Sequence, residues 1–165
     1  KVTDFESVLS DRDTSLPVTR ALKSNPDAIY LGTYLKFQYF VKKIRELGYK
    51  GKLYSIEVDD YLADVTKPYS EGTVFISPAY FTPEFSAEYE SKYGSKPSIP
   101  ASQSYDATNL LLSFISSRKD IVSQMKDIKE YNGVSGKIQF TDDHHTFFPV
   151  SIFKIENSAI KSVNQ

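Results

Sequence analysis

The chain contains no cysteine, which excludes disulfides and thiolate metal sites and fits a reducing or an oxidising compartment equally. It also lacks any excess of charge: 20 Lys and Arg are interspersed with 21 Asp and Glu, for a net charge of −1. That balance provides no electrostatic footprint for nucleic acid and no basic stripe for an anionic membrane. No apolar run approaches the length needed to span a bilayer. No signal peptide is visible, and there is no internal repeat or low-complexity segment. Histidine is confined to one adjacent pair, His144 and His145. The sequence has no phosphate-binding loop and no dinucleotide fingerprint. Gly133-Val134-Ser135-Gly136 is not a nucleophile elbow, because the five-residue pattern is missing. Catalytic constellations are therefore scarce: an enzyme is the disfavoured class, and no cofactor is expected. Lys1 is not an initiator methionine, so the chain is expected to have been cut or processed.

What is present is a foldable composition. A length of 165 residues with 40% apolar side chains is one domain's worth, or two small pieces, and can bury a real core. Residues 1–6 read as a short strand. Pro17 opens a helix at its tolerated first-turn position, with Val18, Ala21 and Leu22 on one face. Asn25-Pro26-Asp27 stops it, because the residue before a proline is pushed out of the helical region. Ala28 to Leu31 is a short apolar run of the kind found in a parallel strand covered on both faces. Phe37, Phe40, Val41, Ile44 and Leu47 then repeat at helical spacing up to Gly48. Leu53 to Ile56 predicts the next strand, Asp59 the N-cap of a short helix through Leu62 and Val65, and Thr73 to Ile76 a third strand. This alternation is the signature of a parallel α/β layer with right-handed crossovers.

The second part of the chain has a different texture. Thr82-Pro83-Glu84 starts a helix whose Phe85, Tyr89 and Tyr93 share a face before Gly94. Residues 95–104 carry two prolines and four serines and read as a loop. Ala107, Leu110, Leu111, Phe114 and Ile115 form the most apolar helix, and Ile121, Met125 and Ile128 predict another. From Gly136 the pattern turns to β, with a last hairpin turn near Glu156-Asn157-Ser158.

In open α/β sheets, ligands sit beyond the carboxyl ends of the strands. Two such ends are legible: Gly32-Thr33-Tyr34 after Leu31, and Glu57 after Ile56. Gly32 permits close backbone approach. Tyr34 offers a ring face and a hydroxyl, and Glu57 a carboxylate suited to a ligand ammonium group. Each residue has a plainer reading. Glu57 stands beside Asp59 and Asp60 and fits a solvated loop, while Tyr34 fits packing against the following helix. His144-His145 after Asp142-Asp143 invites a metal reading, but adjacent residues in a turn point apart, and a solvated hairpin turn is preferred. No metal site is expected.

Six segments in order carry a family resemblance: NPDAIYLGTY (25–34), FVKKIRELGYKGKLYS (40–55), EGTVFISPAYF (71–81), YESKYGSKPS (89–98), SYDATNLL (104–111) and GVSGKIQFTDD (133–143). In that order and spacing they are similar to the C-terminal half of type I periplasmic substrate-binding proteins of the leucine/isoleucine/valine-binding family. The similarity runs from about residue 4 to the C-terminus. The chain departs from the family where an Asp-Glu-Asn-Gly-Asp turn is replaced by Asp142-Asp143-His144-His145.

The resemblance implies an α/β fold, a parallel sheet flanked by helices, forming part of a two-lobed molecule whose lobes close on a ligand. It assigns residues 1–78 to an incomplete second lobe, 79–147 to helices and a hairpin of the first lobe, and 148–165 to the second lobe again. The chain would cross between lobes near Ser77 to Phe81 and near Thr146 to Pro149. The first-lobe sheet, and the opening strand and helix of the second lobe, would precede Lys1. Glu57 falls where amino-acid-binding members carry a glutamate for the ligand amine. Tyr105-Asp106 falls where the family has a similar pair near the hinge, so Tyr105 is either a ligand contact or structural. The expected ligand contacts are thus Thr33, Tyr34, Glu57 and Tyr105. The implied partners are a small solute, an amino acid first, and the membrane permease of an ABC transporter, in a periplasmic or extracellular setting compatible with an N-terminal lipid anchor. A sensory or regulatory receptor ectodomain on the same fold is the alternative.

Overall fold

The computed structural model describes residues 1–2, 4–6, 14–78, 81–143 and 145–163. Among them the order of elements is α1 (Ser15–Lys23), β1 (Ala28–Leu31), α2 (Phe37–Glu46), β2 (Lys52–Ile56), α3 (Asp60–Val65), β3 (Val74–Ser77), α4 (Pro83–Tyr93), α5 (Ile99–Ser116), α6 (Ile121–Asp127), β4 (Glu130–Gly133), β5 (Gly136–Phe140), β6 (Thr146–Phe147), β7 (Ser151–Glu156) and β8 (Ala159–Ser162). They fall into two compact units. The first comprises Lys1–Ser77 and Ile152–Gln165, the second Pro78–Ser151.

The first unit is built on a five-stranded sheet in the order β1-β2-β3-β7-β8. Strands β1, β2 and β3 are parallel, with Leu31 beside Ser55 and Ser55 beside Phe75. That register sends Leu31, Leu53 and Phe75 to one face, where they are buried with Phe37, Phe40, Val41 and Ile44 of α2 and Leu62 and Ala63 of α3. Each large apolar side chain buried in this way contributes about 1.5–3 kcal/mol, so this stripe is what fastens α2 to the sheet. Gly48 follows α2 at φ +88, a conformation in which a side chain would be strained. The guanidinium of Arg45 then donates to the carbonyls of Tyr49 and Gly51 at 2.8 and 3.0 Å, which fixes the turn into β2.

The opposite face of the sheet differs from the sequence expectation of strands covered on both sides. Tyr30 is 62% exposed and Ile76 46%. The reason is topological. Right-handed crossovers between strands added in one direction place every connecting helix on the same face, and β1, β2 and β3 are added in one direction. A helix on the other face would require strands beyond β1. Residues 1–6, expected as a strand, are not one where described. Val2 and Phe5 instead border a cleft of about 700 Å³ lined also by Ala28 to Leu31 of β1, an edge strand among the described residues.

The antiparallel pair β7-β8 completes this sheet after the chain has passed through the second unit. Ile155 N–H donates to Thr73 O and its carbonyl accepts from Gly72 N, while the Phe75 and Phe153 rings stack at 5.5 Å. The β7-β8 turn is where the sequence placed it. Asn157 and Ser158 both take positive φ, as two-residue hairpin turns require, and Glu71 accepts both of their N–H groups.

In the second unit, Thr82 caps α4 by accepting from Phe85 N. Residues 99–104, expected as loop, are instead the first turns of α5. Pro100 sits in the first turn, where its missing N–H costs nothing, so the prolines there mark a helix start. The second unit also has a sheet of its own, the antiparallel β4-β5-β6. Its hairpin is held by Asp106 of α5, which is 2% exposed and accepts from Val134 N and Ser135 N, each at 2.8 Å. Gly133 is required beside it: a Cβ there would lie 2.3 Å from the Asp106 carboxyl carbon. The apolar side of α5 is open, with Leu111, Leu112 and Ile115 all about half exposed.

Candidate functional site

Strands β1 and β2 run parallel, so their carboxyl ends lie at the same edge of the first unit. The two segments leaving that edge carry three of the four candidate residues. Thr33 is half-buried, and its hydroxyl accepts from Lys36 N at 3.3 Å. The hydroxyl is thereby engaged in the turn that leads into α2. Gly32 is open: a Cβ there would meet only the Tyr30 ring, at 3.4 Å. Its backbone is accessible, as expected.

Tyr34 is 37% exposed, and its hydroxyl donates to Asp59 Oδ2 at 2.5 Å. Asp59 does two things at once. Its other oxygen accepts from Leu62 N at 2.7 Å and caps α3, the role predicted for it. A cap of this kind is worth about 1 kcal/mol. The hydrogen bond to Asp59, partial burial, and the negative charges of Asp59 and Glu57 together push the Tyr34 hydroxyl up to about 12. The shift also places Glu57 within electrostatic reach of Tyr34.

Glu57 is half-buried and follows directly on β2, its N–H donating to Ile76 O at 2.9 Å. Its carboxylate makes no hydrogen bond or ion pair among the described residues. The backbone of Glu57 is in the left-handed region, at φ +42. For a residue other than glycine this costs about 1–2 kcal/mol, a cost that tends to be retained where a side chain has a task. Thr33, Tyr34 and Glu57 are thus together at one sheet edge.

Tyr105 belongs to the second unit. It is 48% exposed and its ring packs against Phe85 of α4 at 5.1 Å. Its neighbour Asp106 holds the β4-β5 turn, a role that sequence reading passed over. Of the histidine pair, His144 lies outside the described residues. His145 is well exposed and stands 3.5 Å from Asp143. The cleft beside β1 is lined in part by Thr33.

The family model for periplasmic binding proteins matches residues 2–159. The chain belongs to that family. The family consists of solute-binding proteins, and its setting is extracytoplasmic. Among solved structures, a leucine binding protein LivK from Thermotoga maritima is 26% identical over 92% of this chain and 48% of its own, with a TM-score of 0.79. The branched-chain amino acid transporter substrate binding protein LivJ of Streptococcus pneumoniae, in complex with isoleucine, is 23% identical over 95% and 50%, with a TM-score of 0.77. An extracellular ligand binding receptor from Desulfohalobium retbaense reaches a TM-score of 0.80 at 18% identity, over 93% of this chain and 29% of its own. The chain therefore spans half or less of the length of these proteins, and its fold is that of type I periplasmic binding proteins. Among curated proteins none matches. No helix among the described residues is long and apolar enough to cross a membrane.

Proposed function

We propose that this chain forms one side of an extracytoplasmic trap for an amino acid, branched-chain ones first, and that Glu57 holds the ammonium group of the solute. The observation that carries this reading is a half-buried carboxylate, without a partner among the described residues, on strained backbone at the ligand edge of the sheet. The names of the Thermotoga and Streptococcus proteins point to the same solute class. In this reading Tyr34 and Thr33 flank the ammonium group, and the loaded protein delivers its solute to the permease of an ABC transporter. The first unit is part of the second lobe and the second unit part of the first. The open sheet face of Tyr30 and Ile76 and the outer edge of β1, which pairs only with β2 among the described residues, are the surfaces that the remainder of the lobe would cover.

Calorimetry on the complete gene product tests the assignment. Glu57→Gln should weaken leucine binding by about 2–5 kcal/mol, the cost of removing one partner of a desolvated charge pair. Glu130→Gln is the control, because Glu130 pairs with Lys137 on an exposed hairpin. Equal affinities for the two variants would return Glu57 to the solvated loop. The name of the Desulfohalobium protein keeps a receptor ectodomain as the second reading. A membrane span leading into a signalling domain, encoded beyond Gln165, would decide for it.

A further inference from the structure

A tyrosine hydroxyl has one proton to give and two lone pairs to receive. In this site the Tyr34 proton is already committed to Asp59 Oδ2. Asp59 cannot turn away to release it, because its other oxygen caps α3 through Leu62 N. Tyr34 is thus left with an oxygen that can only accept, together with the negative face of its ring. Glu57, when ionised, is also acceptor-only. A wall of this kind discriminates by polarity. It receives N–H donors and positive charge, and it sets lone pair against lone pair when a ligand carboxylate or carbonyl approaches.

We infer that Asp59 is a positioning residue: by holding the Tyr34 proton it fixes Tyr34 as a hydrogen-bond acceptor, and so turns this wall toward the ammonium end of the solute and away from its carboxylate. The inference rests on the reading of Glu57 as a ligand residue. Asp59 itself need not touch the ligand.

Asparagine at this position provides a sharp test. Asn is as good an N-cap as Asp, so Asp59→Asn keeps α3 closed. With its oxygen on Leu62 N, however, its amide presents N–H to Tyr34. Tyr34 must then accept from it and point its own proton outward, which reverses its polarity toward the ligand. Two readouts on the complete gene product follow. The first is the titration of Tyr34, seen with ¹³C-labelled tyrosine and assigned by its loss in Tyr34→Phe. The second is calorimetry with leucine and with 4-methylpentanoate, which keeps the leucine side chain and carboxylate but lacks the amine. Asp59→Asn should bring the Tyr34 titration down from about 12 toward the ordinary tyrosine range. It should weaken leucine binding roughly tenfold, the scale of one hydrogen bond to a charged group, and narrow the preference for leucine over 4-methylpentanoate. In the Tyr34→Phe background it should do almost nothing further.

An unchanged Tyr34 titration, or an Asp59→Asn effect that persists in the Tyr34→Phe background, overturns the inference while leaving Glu57 to its own test. If Glu57→Gln has no effect on affinity while Asp59→Asn still releases Tyr34, the ligand role of the wall is overturned and only the pairing survives. A wild-type protein with no affinity for any standard amino acid overturns selection for an ammonium group.

Discussion

Asp106 and Gly133 act as one device, and its strength can be worked out. Asp106 accepts two backbone N–H bonds of 2.8 Å from the β4-β5 turn. A hydrogen bond to a charged group contributes about 1.5–3 kcal/mol, less the cost of keeping the carboxylate out of water. Asp106→Ala leaves the Ser135 N–H stranded, since Ser135 is 1% exposed, whereas the half-buried Val134 N–H can find water. The expected loss is therefore about 2–4 kcal/mol. Gly133→Ala should cost nearly the same for a different reason. Its new Cβ would stand 2.3–2.4 Å from all three carboxyl atoms, and Asp106 can clear the space only by giving up both bonds. The two losses are then the same loss counted twice. The double variant should be destabilised by about 2–4 kcal/mol, not by the sum of the two single losses. Urea unfolding of the complete gene product, combined with hydrogen exchange at the Val134 and Ser135 amides, measures this. Additive losses, or an Asp106→Ala loss under about 0.5 kcal/mol, would refute the reasoning.

Three further outcomes are expected. Because the fold raises the Tyr34 hydroxyl from 10.0 to about 12, its stabilising contribution is complete below pH 10 and is lost as pH rises through about 12. Alkaline melts of Tyr34→Phe should accordingly fall less steeply in that window than wild type, with Tyr49 and Tyr131, also raised, supplying the remaining slope. Glu57→Gly should relieve the φ +42 backbone and gain roughly 0.5–1 kcal/mol in unfolding free energy while abolishing amino-acid binding; a loss of stability would show that the strain is absent. The isolated 165-residue chain should self-associate through Leu111, Leu112 and Ile115 and bind amino acids poorly, since a one-sided site leaves an ion pair screened to about 1 kcal/mol or less. A monodisperse species by ultracentrifugation with micromolar affinity would contradict both.

The features that could be read from sequence are those set by a few neighbouring residues. Pro26 ends α1, Gly48 ends α2, Asp59 caps α3, and Thr82-Pro83 opens α4, each by local backbone chemistry. Strand β4 escaped because Glu130-Tyr131-Asn132-Gly133 has no apolar alternation; it is a strand only because Tyr131 pairs with Ile138. The open sheet face escaped because a run such as Ala28 to Leu31 looks the same whether one side or two are covered. Within the candidate site, the positions of Tyr34 and Glu57 after strands and the capping position of Asp59 were legible in the sequence. The bond between Tyr34 and Asp59 was not, although a signal existed. Tyr34 follows Leu31 and Asp59 follows Ile56 by the same three residues, and parallel neighbours bring such positions together. Asp106 gave no signal of this kind, because its partners lie on a hairpin remote in sequence and meet it only through tertiary packing.

The position of β7 beside β3 has a consequence for synthesis. A ribosome releases the first unit in two lengths, separated by all of residues 78–151. At about 5–20 residues per second, that interval lasts roughly 4 to 15 s. Throughout it β3 is a bare edge, Phe75 has no Phe153 to stack on, and Thr73 O and Gly72 N wait for Ile155. Residues 78–151 emerge before β7 and β8 can close the sheet begun by β1, β2 and β3. The nascent chain should therefore be most vulnerable to proteolysis and to chaperone capture at lengths where residues 78–151 have emerged and β7 has not.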